Sequence, residues 1–213
     1  MNEGTVKRVG KHRVLYVMAA QAEYGLHLRQ RFEPLICHVG PVEAALNVAR
    51  RLALEPEIDC VISLGSAGSC TLEQAQVYQV SAVDYRDMDA SALGFKKGVT
   101  PFLDCPPVID LPYCIDGLPA ASIATGASIV SGAAYDGIEA DMVDMESYAI
   151  ARASMKSGVP MIGLRGISDG AHPVAELSDW TRYLEVIDKR LGTVVDLLEA
   201  QIADGSLLSI EKS

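Results

Sequence analysis

The sequence lacks most of what would anchor it in a membrane, cross-link it or charge it for nucleic acid. No apolar run approaches the roughly 18 residues that a bilayer span needs, and no signal-peptide core precedes the first strand-like segment. A cytoplasmic protein without membrane contact is therefore expected. The five cysteines, Cys37, Cys60, Cys70, Cys105 and Cys114, are an odd number with no C-x-x-C pair. That argues against a disulfide framework and for reduced thiols. Four scattered histidines suggest no metal site. Positive charge is also short: 18 Lys and Arg stand against 28 Asp and Glu, a net charge of −10, whereas a nucleic-acid surface carries a basic footprint. The small-residue turn Gly65-Ser66-Ala67-Gly68 has neither the spacing nor the following Lys of a P-loop.

What is present is a chain of 213 residues, 49% hydrophobic, enough for one large domain with a substantial core. Met1 to Arg13 is polar and reads as a frayed lead-in, residues 14–205 as a single domain, and residues 206–213 as a tail. Strand-like runs at 13–20, 35–41, 59–69, 77–85 and 120–129 alternate with helical patterns, which predicts an α/β sheet with helices on both faces. Helix 42–54 is expected to align Val42, Ala45, Leu46, Ala49 and Leu52 on one face. His38 reads as an edge-of-core histidine. A last long helix, capped by Ser178 or Asp179, aligns Trp180, Tyr183, Leu184, Ile187, Leu191, Val194, Val195, Leu198 and Ile202, and ends near Gly205. It reads as a packing helix.

The stretch from Val143 to Gly170 organises the rest. A helix that is apolar nearly all round carries Glu146 near its start, where carboxylates are rare. The strand after Pro160 alternates with period two, so Arg165 and Asp169 share a face roughly 13 Å apart. Ser168-Asp169-Gly170 then ends the strand where open α/β sheets hold ligands. The blander alternative is that Asp169 caps a turn and Glu146 pairs with Arg165. After the first strand, Gln21 and Glu23 are the polar candidates at the strand's carboxyl end.

The motifs Ile62-x-x-Gly65-Ser66-Ala67-Gly68, Val130-Ser131-Gly132, Asp144-Met145-Glu146 and Arg165-Gly166-Ile167-Ser168-Asp169, in this order and spacing, resemble the bacterial methylthioadenosine/S-adenosylhomocysteine nucleosidases of the nucleoside phosphorylase superfamily. The resemblance implies a three-layer αβα fold with a central mixed sheet, no cofactor, a homodimer, and hydrolysis of a 5′-substituted adenosine to release adenine. It makes Asp169 the acid that protonates the base, with Ser168 holding it, and Glu146 the acceptor of the ribose hydroxyls. Met145 would lie against the sugar, Tyr135 would stack on the base and the Asp136 backbone would read its edge. Gly65 and Ser66 would belong to the binding turn, and Arg165 would stand near the attacking water. Cys37 replaces a common serine, and Leu93 falls where the family reaches into the partner's pocket.

The resemblance also aligns Gln21 with the glutamate that activates water. A neutral amide is no effective base. Three explanations stand: an introduced, nearly isosteric substitution, which is preferred; Glu23 taking over from two residues away; or binding without efficient turnover. A phosphate-dependent phosphorylase is the alternative within the superfamily, disfavoured because Ser63-Leu64 stands where phosphorylases place an arginine.

Overall fold

The computed structural model describes residues 3–170 and 176–208. Nine strands form one mixed sheet: β1 (Lys7–Val9), β2 (His12–Met18), β3 (Leu35–Ile36), β4 (Cys60–Gly68), β5 (Val77–Tyr85), β6 (Val108–Asp110), β7 (Ala120–Thr125), β8 (Met142–Asp144) and β9 (Met161–Asp169). Helices α1 (Leu26–Arg29), α2 (Pro41–Leu54), α3 (Ser147–Lys156), α4 (Leu177–Thr181) and α5 (Leu184–Asp204) flank it. β9 lies between β4, to which it is parallel, and β5, to which it is antiparallel. β5 continues through β7 and β8 back to β4. Five strands thus close into a ring, a distortion of the layered sheet that the alternation of elements alone does not announce.

Period-two alternation divides the core. Leu15, Val17 and Val61 pack under α2 and α3 with Ala44, Val48 and Ile150. Val14, Tyr16, Met18, Ile62 and Leu64 face the other way, against Leu28 of α1 and the Ile187, Leu191, Val195, Leu198 and Ile202 stripe of α5. Strands buried on both faces read as continuous apolar runs, which is how β2 and β4 are written.

Several expectations need correction. Residues 7–9 of the expected lead-in form a strand: β1 pairs antiparallel with β2, and Lys7 Nζ meets Glu199 Oε1 of α5 at 2.6 Å; residues 1–2 lie outside the described ones. The tail begins later than residue 206, since Leu207 and Leu208 are buried; residues 209–213 lie outside the described ones. α2 buries Ala44, Val48 and Leu52, and of the expected face Leu52 is buried and Ala45 packs against the core while Val42, Leu46 and Ala49 are exposed. The strand expected at 35–41 stops at Ile36, and His38 is exposed with φ of 66°. The last helix is broken at Arg182 and Tyr183. Glu176, in a capping box with Asp179, starts α4, and Gly205, left-handed at φ 83°, ends α5. Among the described residues no helix is long and apolar enough to cross a membrane.

Candidate active site

A cavity of about 250 Å³ opens at the carboxyl ends of β2, β4 and β9, and four carboxylates line it: Glu23, Asp144, Glu146 and Asp169. Ligands of α/β sheets gather at such strand ends because the chain turns there and leaves backbone and side chains free to converge.

Glu23 comes from a single turn of 3₁₀ helix, Gln21–Glu23, that follows β2. Three residues per turn eclipse positions i and i+3, and so Ala20 and Glu23 both face the cavity. Gln21 falls on the opposite side, exposed, in a surface hollow with Tyr24, Arg29 and Glu33. The expected assignment of Gln21 to the site is therefore corrected: the polar side chain delivered here by the first strand is Glu23. Its Oε1 accepts from the backbone N–H of Ser66 at 2.7 Å and from Ser66 Oγ at 2.6 Å. Its Oε2 is buried without a partner among the described residues. Burial raises the Glu23 pKa, and the two Ser66 hydrogen bonds oppose the rise.

A smaller void of about 10 Å³ adjoins Glu23, Ser66, Glu146 and Arg165, on the order of the space that one water needs. Gly65 also borders it, and a Cβ there would come within 3.2 Å of Glu23 Oε1. Arg165 is buried, with its charge met by Asp144 Oδ2 at 3.1 Å. It donates further to Ser63 and to Ser147 Oγ. The pairing of Glu146 with Arg165, the blander alternative, does not form. Glu146 instead precedes the first turn of α3 and accepts the Gly40 N–H at 2.8 Å. Burial, and then the nearby charge of Asp144, push its pKa up to about 7.

Asp169 ends β9. The register shifts between Ala67 and Gly68, which pair with Ile167 and Asp169 respectively. Such a bulge breaks the simple alternation that would have put Asp169 on the face of Arg165, and both Ser168 and Asp169 line the cavity. Ser168 Oγ donates to Asp169 Oδ1 at 2.5 Å. Burial raises the Asp169 pKa against that bond. Gly68 allows the close approach here: a Cβ would meet Tyr135 Oη at 2.5 Å and Asp169 Oδ2 at 2.9 Å. The Tyr135 hydroxyl lies within reach of the Asp169 charge and is buried without a partner among the described residues. Burial, and then the Asp169 charge, raise its pKa.

Met145 lines the same cavity. Of the other expected residues, Gly65 and Arg165 border the smaller void instead, Tyr135 is not among the residues that line the cavity, and Asp136, Cys37 and Leu93 do not line it either. Asp136 is exposed, and its N–H closes a turn on Ala133 O at 3.1 Å. Cys37 is buried behind the wall, where burial and then the Glu146 charge push its thiol up to about 12; Val39 lines the cavity in its place. Leu93 sits on an exposed turn.

Arg86 and Trp180 line the cavity too, although neither was among the expected site residues and Trp180 was read as a packing residue of the last helix. Arg86 donates to the carbonyls of Ala124, Asp144 and Ser128, so backbone engages its guanidinium. Trp180 reaches Ser66 Oγ with its indole N–H at 2.9 Å, because the break after α4 turns it away from the stripe of α5. Its apolar spacing imitates a packing residue, and only the short capping box before it hints otherwise. Among the described residues no group of His, Cys, Asp and Glu could hold a metal ion.

Residues 3–200 match the family described as the phosphorylase superfamily. The 5′-methylthioadenosine/S-adenosylhomocysteine nucleosidase of Haemophilus influenzae (strain PittGG) is 31% identical over 176 residues, 74% of this chain and 76% of the relative. Among solved structures, the nucleosidase of that name from Neisseria meningitidis, in complex with methylthio-immucillin-A, superposes with a TM-score of 0.73 at 22% identity over 88% of this chain and 98% of that one. A futalosine hydrolase mutant of Helicobacter pylori superposes equally, at 0.73 and 20% identity, over 86% of this chain and 98% of that one. At such identities the superpositions speak for the fold.

Proposed function

The chain belongs to the phosphorylase superfamily, in the family of the methylthioadenosine/S-adenosylhomocysteine nucleosidases, and from that premise we propose that it hydrolyses the N-glycosidic bond of a 5′-substituted adenosine, releasing adenine. Asp169 delivers a proton to N7 of the base, so that the electrons of the breaking C1′–N9 bond leave on a neutral adenine. Its raised pKa favours the protonated form that this step needs. A positioned acid of this kind is worth about 10²–10⁴ in rate. Glu23 takes the proton from a water that attacks C1′, with Oε1 pinned by Ser66 and Oε2 free to accept. Glu146 accepts the ribose hydroxyls, and its negative charge stabilises the positive charge that develops on the sugar. Arg165, neutralised by Asp144, organises the floor of the small void.

The observation that carries this reading is the convergence of Glu23, Glu146 and Asp169, from three separate strand ends, on one cavity. Hydrolysis is favoured over phosphorolysis because both arginines at the cavity and the void beneath it, Arg86 and Arg165, are already engaged by backbone carbonyls or Asp144. Phosphate needs free guanidinium donors. We also read the exposed apolar stripe of α2, with Leu93 and Phe102, as the contact of a homodimer.

The test is adenine release from methylthioadenosine in phosphate-free buffer. The unaltered chain should turn over, Glu23→Gln should lose at least about a hundredfold in kcat, and Gln21→Glu should stay within about twofold of the parent. Activity that Gln21→Glu raises by orders of magnitude, or that requires phosphate, would sink the reading.

A further inference from the structure

Ser66 Oγ stands between two partners, Trp180 Nε1 at 2.9 Å and Glu23 Oε1 at 2.6 Å. The directions of these bonds are fixed by chemistry. An indole N–H only donates, and a carboxylate that is to act as a base only accepts. Trp180 therefore donates into a lone pair of Ser66, and the single hydroxyl hydrogen of Ser66 points at Glu23. The chain runs one way, from α4 through the rim of β4 to the turn after β2. Each link polarises the next, so a hydroxyl that accepts from an indole becomes a better donor.

We propose that Trp180 is a positioning residue for the Glu23 base: through Ser66 it fixes which carboxylate oxygen is bound and which is free, and holds the carboxylate ionised. This rests on the proposed role of Glu23. Two donors from Ser66, its N–H and its Oγ–H, converge on Oε1, and Oε2 is left without a partner among the described residues. Without the indole, the Ser66 hydroxyl loses the donor that orients and polarises it, and its bond to Oε1 weakens while the backbone bond stays. The other ionisable groups acting on Glu23 are Arg165 of β9, Glu146 before α3 and the Cys37 thiol after β3. On α4, Asp179 is occupied by the N-terminal backbone at Glu176. Thus Ser66 is the route by which α4 bears on the base.

Trp180 is the one tryptophan of the chain, so its emission reports on its own hydrogen bond. In the absence of nucleoside, emission should change with pH in a single transition that follows Glu23 ionisation, and Glu23→Gln and Ser66→Ala should each abolish it. A flat titration in the unaltered protein, or a transition that survives either substitution, overturns the proposal, and this readout holds even if no adenine nucleoside is turned over. In catalysis, Trp180→Phe keeps an aromatic wall but deletes the donor. It should lower kcat about tenfold at pH 6 with much less loss at pH 8, moving the ascending limb of kcat/KM to higher pH, while KM changes less than about twofold. In a Ser66→Ala background, Trp180→Phe should add nothing. A change confined to KM, or an undiminished effect without Ser66, would mean that Trp180 only packs.

Discussion

At the scale of single residues, the cavity holds carboxylates that burial drives toward their protonated forms. For Glu146, burial and then the Asp144 charge push the pKa up to about 7, against about 4.3 for a free glutamate. A raised folded pKa means that the folded state binds the proton more tightly. The stability this contributes is fully present below about pH 4.3 and is lost as the pH rises through about 7. Glu146→Gln keeps an acceptor for the Gly40 N–H and removes the buried charge. Its Tm should exceed that of the parent at pH 8, and the gap should close or reverse toward pH 4.5, as read by circular dichroism; an equal gap at both pH values would refute the assignment. Of the site, Ser168-Asp169, Met145-Glu146 and Arg165 were legible because each lies in or beside an element whose period is visible. Glu23 and Gln21 were exchanged because a one-turn 3₁₀ helix has no period to read, and two residues of offset there reverse which side chain points inward.

At the scale of elements, β9 sets the geometry. It is buried along nearly its whole length and packs α5 against the sheet through Gly166, where a Cβ would meet Ile187 Cγ2 at 2.4 Å. Gly166→Ala must push α5 off the strand, with an expected loss of about 1–3 kcal/mol, measurable as a lower midpoint in urea; an unchanged midpoint would show that the contact is soft. Continuous apolar runs of strand length made β2 and β4 legible, and periodicity made β9 and α5 so. β8 was missed because three residues carry no period, and the bulge beside Gly68 is a tertiary fit that alternation cannot announce. α4 was absorbed into α5 because Trp180 happens to continue the apolar spacing of the longer helix, although its hydrogen bond points elsewhere.

At the scale of the whole molecule, α2 is the telling helix. Its inner stripe of Ala44, Val48 and Leu52 packs on the sheet, whereas Val42 and Leu46 are 68% and 61% exposed, with Val39 of the cavity wall just before them. Exposed apolar positions that cluster mark an interface. On the proposed homodimer, the parent should sediment as a dimer and the doubly substituted Val42→Asp, Leu46→Asp chain as a monomer. Identical sedimentation of the two would remove this face as the contact. The sequence shows the apolar positions of α2 but not which of them the sheet takes, since only the packed partner decides.

The closed ring of strands also sets an order of events during synthesis. Val61 of β4 waits for Met161, and Val77 of β5 waits for Gly166, because β9 is the strand that fills the slot between them. Until then both edges stand open, with unpaired backbone groups flanked by apolar side chains, the kind of template on which a second chain can add and aggregate. The last strand to arrive seals those edges. The strand that closes the ring is thus also the one whose last residues carry Ser168 and Asp169 to the cavity.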